Sequence, residues 1–179
     1  LFVFLLVGIG LGVLSGGPAS AWVLNACRYQ YTVTFYKFSN VTSTWQSAHN
    51  SGAGRWNATT NQPDLVQTSQ STVDQWVYDD NYSATWSGLA SGGCVPGSYW
   101  YNNLVTVQYN LNQTVGWTTG WRQALAVHEQ GHAWGLAHNS NNCTNKSAMR
   151  DDARWVLLNC SNPGTPPWQD DINGKEQLY

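Results

Sequence analysis

The segment His128-Glu129-Gln130-Gly131-His132-Ala133-Trp134-Gly135-Leu136-Ala137-His138 constrains this chain more than any other stretch. Residues four apart share one face of an α-helix, so His128 and His132 offer two imidazole nitrogens to one point. Glu129 lies one position on, about 100° around the axis, where it reaches a water beside a bound ion without becoming a ligand. A straight helix would carry His138 away from that point. Glycine readily takes the positive φ that ends a helix, so Gly135 predicts a sharp reversal that returns His138 as a third ligand. Three protein ligands leave a fourth position open, the arrangement of a catalytic metal site and not of a closed structural one. A lone His-Glu-x-x-His arises by chance in many helices. Gly135 and His138 make the pattern specific, and so does the census: the chain has four histidines, three of them here, with only His49 left over.

The segment sits at the end of a helical stripe. Trp121, Ala124, Leu125, His128 and His132 recur at spacings of three and four, and Gly120 is the expected N-cap, with Gln123 three residues on. Upstream the period changes to two. Residues 28–38 alternate aromatic and β-branched side chains with polar ones, and residues 76–78, 84–90 and 104–110 read as further strands. Residues 41–50 predict a short helix with poor apolar spacing. A last helix is expected to start at Pro166 or Pro167, both suited to a first turn, and to run towards Leu178. Strands first, then a long helix, then loops and a second helix predict one mixed α/β (α+β) domain.

Residues 1–14 form an apolar run broken only by glycines, followed by Ser15-Gly16-Gly17-Pro18 and Ala19-Ser20-Ala21. That order is the signature of a secretory signal peptide, and the run is shorter than the ~20 residues a spanning helix needs. The expectation is a signal peptide over 1–21, a mature domain over 22–179, secretion, and no stable membrane insertion once the signal is removed. A net charge of -2, with charged residues at 10%, provides no basic stripe for a nucleic acid. The four cysteines, Cys27, Cys94, Cys143 and Cys160, permit three pairings. Secretion favours disulfides, and proximity in sequence favours Cys143–Cys160 with Cys27–Cys94. No two cysteines sit two to four residues apart, which argues against a cysteine metal site. Eleven tryptophans and nine tyrosines suit either a sugar-stacking binding module or a core filled with aromatics, and the core is the commoner use.

His128-Glu129-x-x-His132-x-x-Gly135-x-x-His138 resembles the zinc signature of the metzincin metalloproteases, and Gly135-Leu136 before His138 looks most like the matrixin branch. Ser147-Ala148-Met149, holding the chain's only methionine, is similar to the family's methionine turn. Asp170-Asp171-Ile172-Asn173-Gly174 with Leu178-Tyr179 resembles its C-terminal helix, and Gly88-Leu89-Ala90 is similar to the cleft-edge strand that pairs with substrate. The resemblance implies a zincin-like catalytic domain, with a twisted mixed sheet, an active-site helix, a Met-turn and a C-terminal helix. It further implies a monomeric secreted metalloendopeptidase acting on peptide or protein substrates. One catalytic Zn2+ would sit on His128, His132 and His138, with Glu129 as general base.

The departures are specific. No cysteine precedes Cys27 to act as a matrixin-type latency switch, and Cys94 in Gly92-Gly93-Cys94-Val95-Pro96 is only a faint echo of one in the wrong place. His49 alone cannot supply the family's additional structural zinc site. Arg150-Asp151-Asp152 follows Met149 without the family's frequent Pro or Tyr, which leaves the far wall of the substrate pocket undefined. Asp79-Asp80, Asp151-Asp152 and Asp170-Asp171 carry oxygens of the kind Ca2+ takes, but nothing else in the sequence supports calcium, and solvated or helix-start acids are the commoner explanation.

Overall fold

A computed structural model of the chain describes residues 23–24, 27–59, 63–94, 98–140 and 142–179. The predicted signal peptide, 1–21, lies outside them. In chain order the elements are β1 (Val23–Leu24), β2 (Cys27–Arg28), β3 (Val33–Phe38), α1 (Ser43–Asn57), β4 (Asp64–Gln67), β5 (Gln75–Asp80), β6 (Gly88–Ser91), β7 (Ser98–Tyr99), β8 (Val105–Asn110), α2 (Thr119–Trp134), β9 (Leu136–Ala137), α3 (Trp155–Asn159) and α4 (Gln169–Leu178). This is a mixed α/β architecture, as expected at that level.

The main sheet has five strands in the order β4-β3-β5-β8-β6. Its first four strands are parallel, and β6 runs antiparallel to β8 at the edge, with Ala90 opposite Val107. Parallel sheets are usually buried on both faces, yet burial alternates along β5 and β8. Thr34, Tyr36, Gln75, Val77, Val105, Val107 and Tyr109 supply the buried positions. Against them lie α1 and α2, which also pack on each other.

The tryptophans fill this core. Trp45, Trp56 and Trp134 are almost completely buried, and Trp45 stacks on Tyr109 with ring centroids 4.1 Å apart. Buried indoles need acceptors: Trp56 Nε1 donates to the Val127 carbonyl at 3.1 Å, and Trp100 Nε1 to that of Ala133 at 2.9 Å. Much of the aromatic content therefore goes into the core and the helix–helix seam.

Several local expectations need correction. The strand expected over 28–38 is two: β2 leaves to pair with β7, and β3 joins the main sheet. The helix expected over 41–50 runs Ser43–Asn57. Its buried face mixes small residues (Ala48, Gly52, Ala53) with Trp45, His49 and Trp56, so close backbone approach takes the place of a regular apolar stripe. The strand expected over 84–90 is only Gly88–Ser91. Upstream of it, Asn110 Nδ2 donates to the Ala84 and Trp86 carbonyls and Asn112 Nδ2 to that of Tyr82, so side chains replace a ladder. The last helix starts at Gln169, after both prolines, because the Asp171 carboxylate accepts the Trp168 N–H at 2.9 Å and caps it there.

Cys27–Cys94 and Cys143–Cys160 form the two expected disulfides, with Cα–Cα distances of 6.0 and 5.3 Å, both within the usual span. Among the described residues no helix is long and apolar enough to cross a membrane.

Candidate metal centre and cleft

Helix α2 carries the first two histidines. It begins two residues earlier than predicted: Thr118, not Gly120, is the N-cap, its hydroxyl accepting the Trp121 N–H at 3.3 Å. It ends where predicted, at Gly135, whose φ of 110° is left-handed. No side chain fits there, since a Cβ would lie 2.6 Å from the Cys27 carbonyl oxygen. The chain then forms β9 against β1 and delivers His138.

The three Nε2 atoms converge. His132 Nε2 is 3.0 Å from that of His128 and 3.0 Å from that of His138, and the third side of the triangle is 3.2 Å. Each Nδ1 is already committed. That of His128 lies 2.6 Å from the Ala148 carbonyl, that of His132 2.8 Å from the Leu136 carbonyl, and that of His138 2.9 Å from Asp151 Oδ1. An imidazole that donates through Nδ1 keeps a lone pair on Nε2, so three lone pairs face one another. Burial and the neighbouring histidines hold His128 well below the usual imidazole range, and burial lowers His132 to about 4. A cation resolves this convergence. Three nitrogens each about 2.0–2.1 Å from one ion in a tetrahedral shell sit ~3.3 Å apart, close to the separations found. These residues could hold a metal ion, and they are the one such group of three among the described residues.

Glu129 stands beside them, with Oε1 4.0 Å from His128 Nε2. It is buried against edge strand β6, where the Ala90 N–H donates to it, and burial pushes its carboxyl up to about 8. The strand comes so close that a Cβ on Gly88 would lie 2.8 Å from the Glu129 carboxyl carbon. Gly88 and Ala90 thus meet the general-base candidate directly, while Leu89 points partly to solvent.

Met149 is buried with its side chain packed against Gly131 of α2, and its carbonyl accepts the Asn139 N–H at 2.8 Å. The turn is braced from α4. Asp171, fully buried, accepts from Ser147 Oγ, from the Ala148 N–H at 2.9 Å and from the Trp168 N–H at 2.9 Å. Burial still raises its carboxyl to about 6. Because Ala148 also holds His128, one line of contacts runs from α4 through the turn at Met149 to the three histidines.

The histidines open onto a cleft of about 610 Å³. It is lined by residues 85–90, by Leu125 of α2, by Trp117 and by residues 151–154. Arg154 bonds Asp152 through Nε and Nη2, both at 3.0 Å, and lies over the Trp117 ring at 4.4 Å. The wall left undefined by the sequence is therefore an ion pair backed by an indole. Asp79 goes to the Thr42 N–H and hydroxyl, so it starts α1. With Asp151 on His138, Asp152 on Arg154 and Asp171 on the Met-turn, these carboxylates have protein donors. His49 is buried, with Nδ1 2.7 Å from Tyr109 Oη.

Sequence reasoning named Asp151 and Asp171 only as acidic pairs and missed their contacts with His138 and with Ser147 and Ala148; it did not single out Trp86. Asp171 carried one usable signal, an acid in a helix's first turn; the contact of Asp151 with His138 depends on how the loop between them folds, which spacing does not give.

No protein-family model matches the chain, and no curated protein matches it. Among solved structures the chain is similar to a chain of the GM1-bound form of the ECX AB5 holotoxin. The identity is 12%, the TM-score 0.55, and the match covers 88% of this chain and 84% of that one. At that identity the likeness bears on the fold alone, and it agrees with a mixed α/β domain.

Proposed function

We propose that this protein is a secreted, matrixin-like metzincin: a zinc metalloendopeptidase with one Zn2+ on His128, His132 and His138. The observation that carries the reading is the convergence of three Nε2 lone pairs, 3.0–3.2 Å apart, at the side of the buried Glu129 carboxyl. Three nitrogen ligands with an open fourth position fit zinc in a hydrolytic role. The two disulfides suit an oxidising compartment.

When bound, the ion supplies Lewis acidity, polarising a carbonyl and lowering the pKa of a water. The protein's side chains do the rest. Glu129 takes the proton of the attacking water and passes it to the leaving amine. The substrate peptide lies extended along β6, whose outer edge has no strand partner among the described residues. Leu125, Trp117 and the Asp152–Arg154 wall receive the side chain beside the cleaved bond.

Glu129→Ala tests the assignment. The variant should keep its zinc while peptide hydrolysis falls by about 10²–10⁴-fold, the range for loss of a general base. Unchanged hydrolysis by the variant, or wild-type hydrolysis indifferent to chelator, would sink the reading.

A further inference from the structure

We infer that Asp151 is a positioning residue for the third metal ligand, holding the His138 ring in its binding tautomer and orientation; this rests on the metal reading above. The three histidines are not held alike. His128 and His132 stand on α2 and give Nδ1–H to backbone carbonyls, Ala148 and Leu136. His138 follows β9 on an irregular segment, has a side chain 48% exposed, and gives Nδ1–H to a carboxylate 2.9 Å away.

Without a helix beneath it, the His138 ring needs a fixed partner to aim Nε2 at the other two. Asp151 provides one with a negative charge. A charged acceptor fixes the tautomer as a carbonyl does, and it also raises the electron-donating strength of the opposite nitrogen. The surrounding backbone keeps the pair in register: Asn139 donates its N–H to the Met149 carbonyl at 2.8 Å and its Nδ2 to Ser147 Oγ at 2.8 Å. The segment carrying His138 is thereby laced to the segment carrying Asp151. Asp151 also lines the cleft, so the residue that holds the ligand is part of the substrate wall.

Partners of this kind typically contribute 10–100-fold to metal affinity. Asp151 has a side chain 89% exposed, and water and salt weaken exposed pairs, so about tenfold is expected.

The test measures Zn2+ affinity by competition with a chromophoric chelator for the wild type, Asp151→Ala and Asp151→Asn. The visible spectrum of each Co2+-loaded protein and the melting temperature of each metal-free protein complete it. Asp151→Ala should bind Zn2+ about tenfold more weakly, with an altered Co2+ spectrum and an unchanged metal-free melting temperature. Asp151→Asn, which keeps an oxygen acceptor but no charge, should fall between. Equal affinities and spectra in wild type and Asp151→Ala would overturn the inference, as would an affinity loss matched by a fall in metal-free melting temperature. A wild type that takes up no Zn2+ would instead overturn the metal reading itself.

Discussion

Gly88 and Glu129 approach so closely that a methyl group on the strand would lie 2.8 Å from the carboxyl carbon of the buried acid. Edge strand and general-base candidate are therefore one unit. Gly88→Ala should push the carboxylate off its position without touching a histidine. A misplacement near 1 Å costs ~10²-fold in rate. Hydrolysis is expected to fall by that order, in kcat more than KM, with bound zinc unchanged. Wild-type kinetics in Gly88→Ala would refute the coupling.

Three converging lone pairs are a poor arrangement until an ion joins them, so metal should stabilise the fold as well as activate it. Binding to the folded state alone adds ~4 kcal/mol at a thousandfold excess over Kd. For a domain of this size that corresponds to a melting-temperature rise of roughly 8–16 °C. Calorimetry across a zinc series should show the rise in the wild type and lose it in His132→Ala. A flat series in the wild type would count against the site.

Asp171 gathers three donors from the Met-turn and the start of α4. Asp171→Ala strands them in a buried place, where each unsatisfied group costs ~1–3 kcal/mol. Denaturant unfolding should show a loss of about 3 kcal/mol or more, and zinc affinity should fall too, because Ala148 would no longer be fixed under His128. Loss of stability with zinc affinity intact would mean that the Met-turn does not support the metal.

Burial lowers His49 to about 3. Between that value and the ordinary imidazole value near 6.5, the unfolded chain binds a proton that the folded chain excludes. The stability from a neutral His49 is therefore fully present above pH ~6.5 and is lost as pH falls towards 3, by up to ~1.4 kcal/mol per pH unit. His49→Gln should show a shallower decline from pH 7 to pH 4 than the wild type. Both proteins are compared in excess chelator, so that the other histidines are metal-free in each. Parallel declines would show that another group governs acid unfolding.

What could be read from the sequence was local. His128, His132, Gly135 and His138 fall within three helical turns of one another, and fixed helix geometry turns their spacing directly into position. The disulfide pairing followed from the separation of the cysteines. The contacts that tune the site are not local. Ala90 reaches Glu129 only because β6 pairs with β8, and Asp171 reaches Ser147 only once α4 docks. Residues 84–90 misled because their alternating pattern looks like a strand, while Asn110 and Asn112 claim carbonyls a ladder would have used. Helix α1 ran past its expected end because Gly52 and Gly54, which weaken a helix in isolation, fall where it packs on α2 or faces solvent.

The bond between Cys143 and Cys160 closes a covalent ring around a short part of the chain, with a sequence separation of 17. Met149, Asp151, Asp152 and Arg154 all lie inside it, whereas the two helical histidines and Glu129 lie outside. A loop of that length withholds ~3 kcal/mol of disorder from the open chain. Breaking this one bond would thus relax the segment that carries Met149 and the far wall of the cleft. The far wall of the cleft owes part of its order to a covalent bond that an oxidising setting maintains and a reducing one removes.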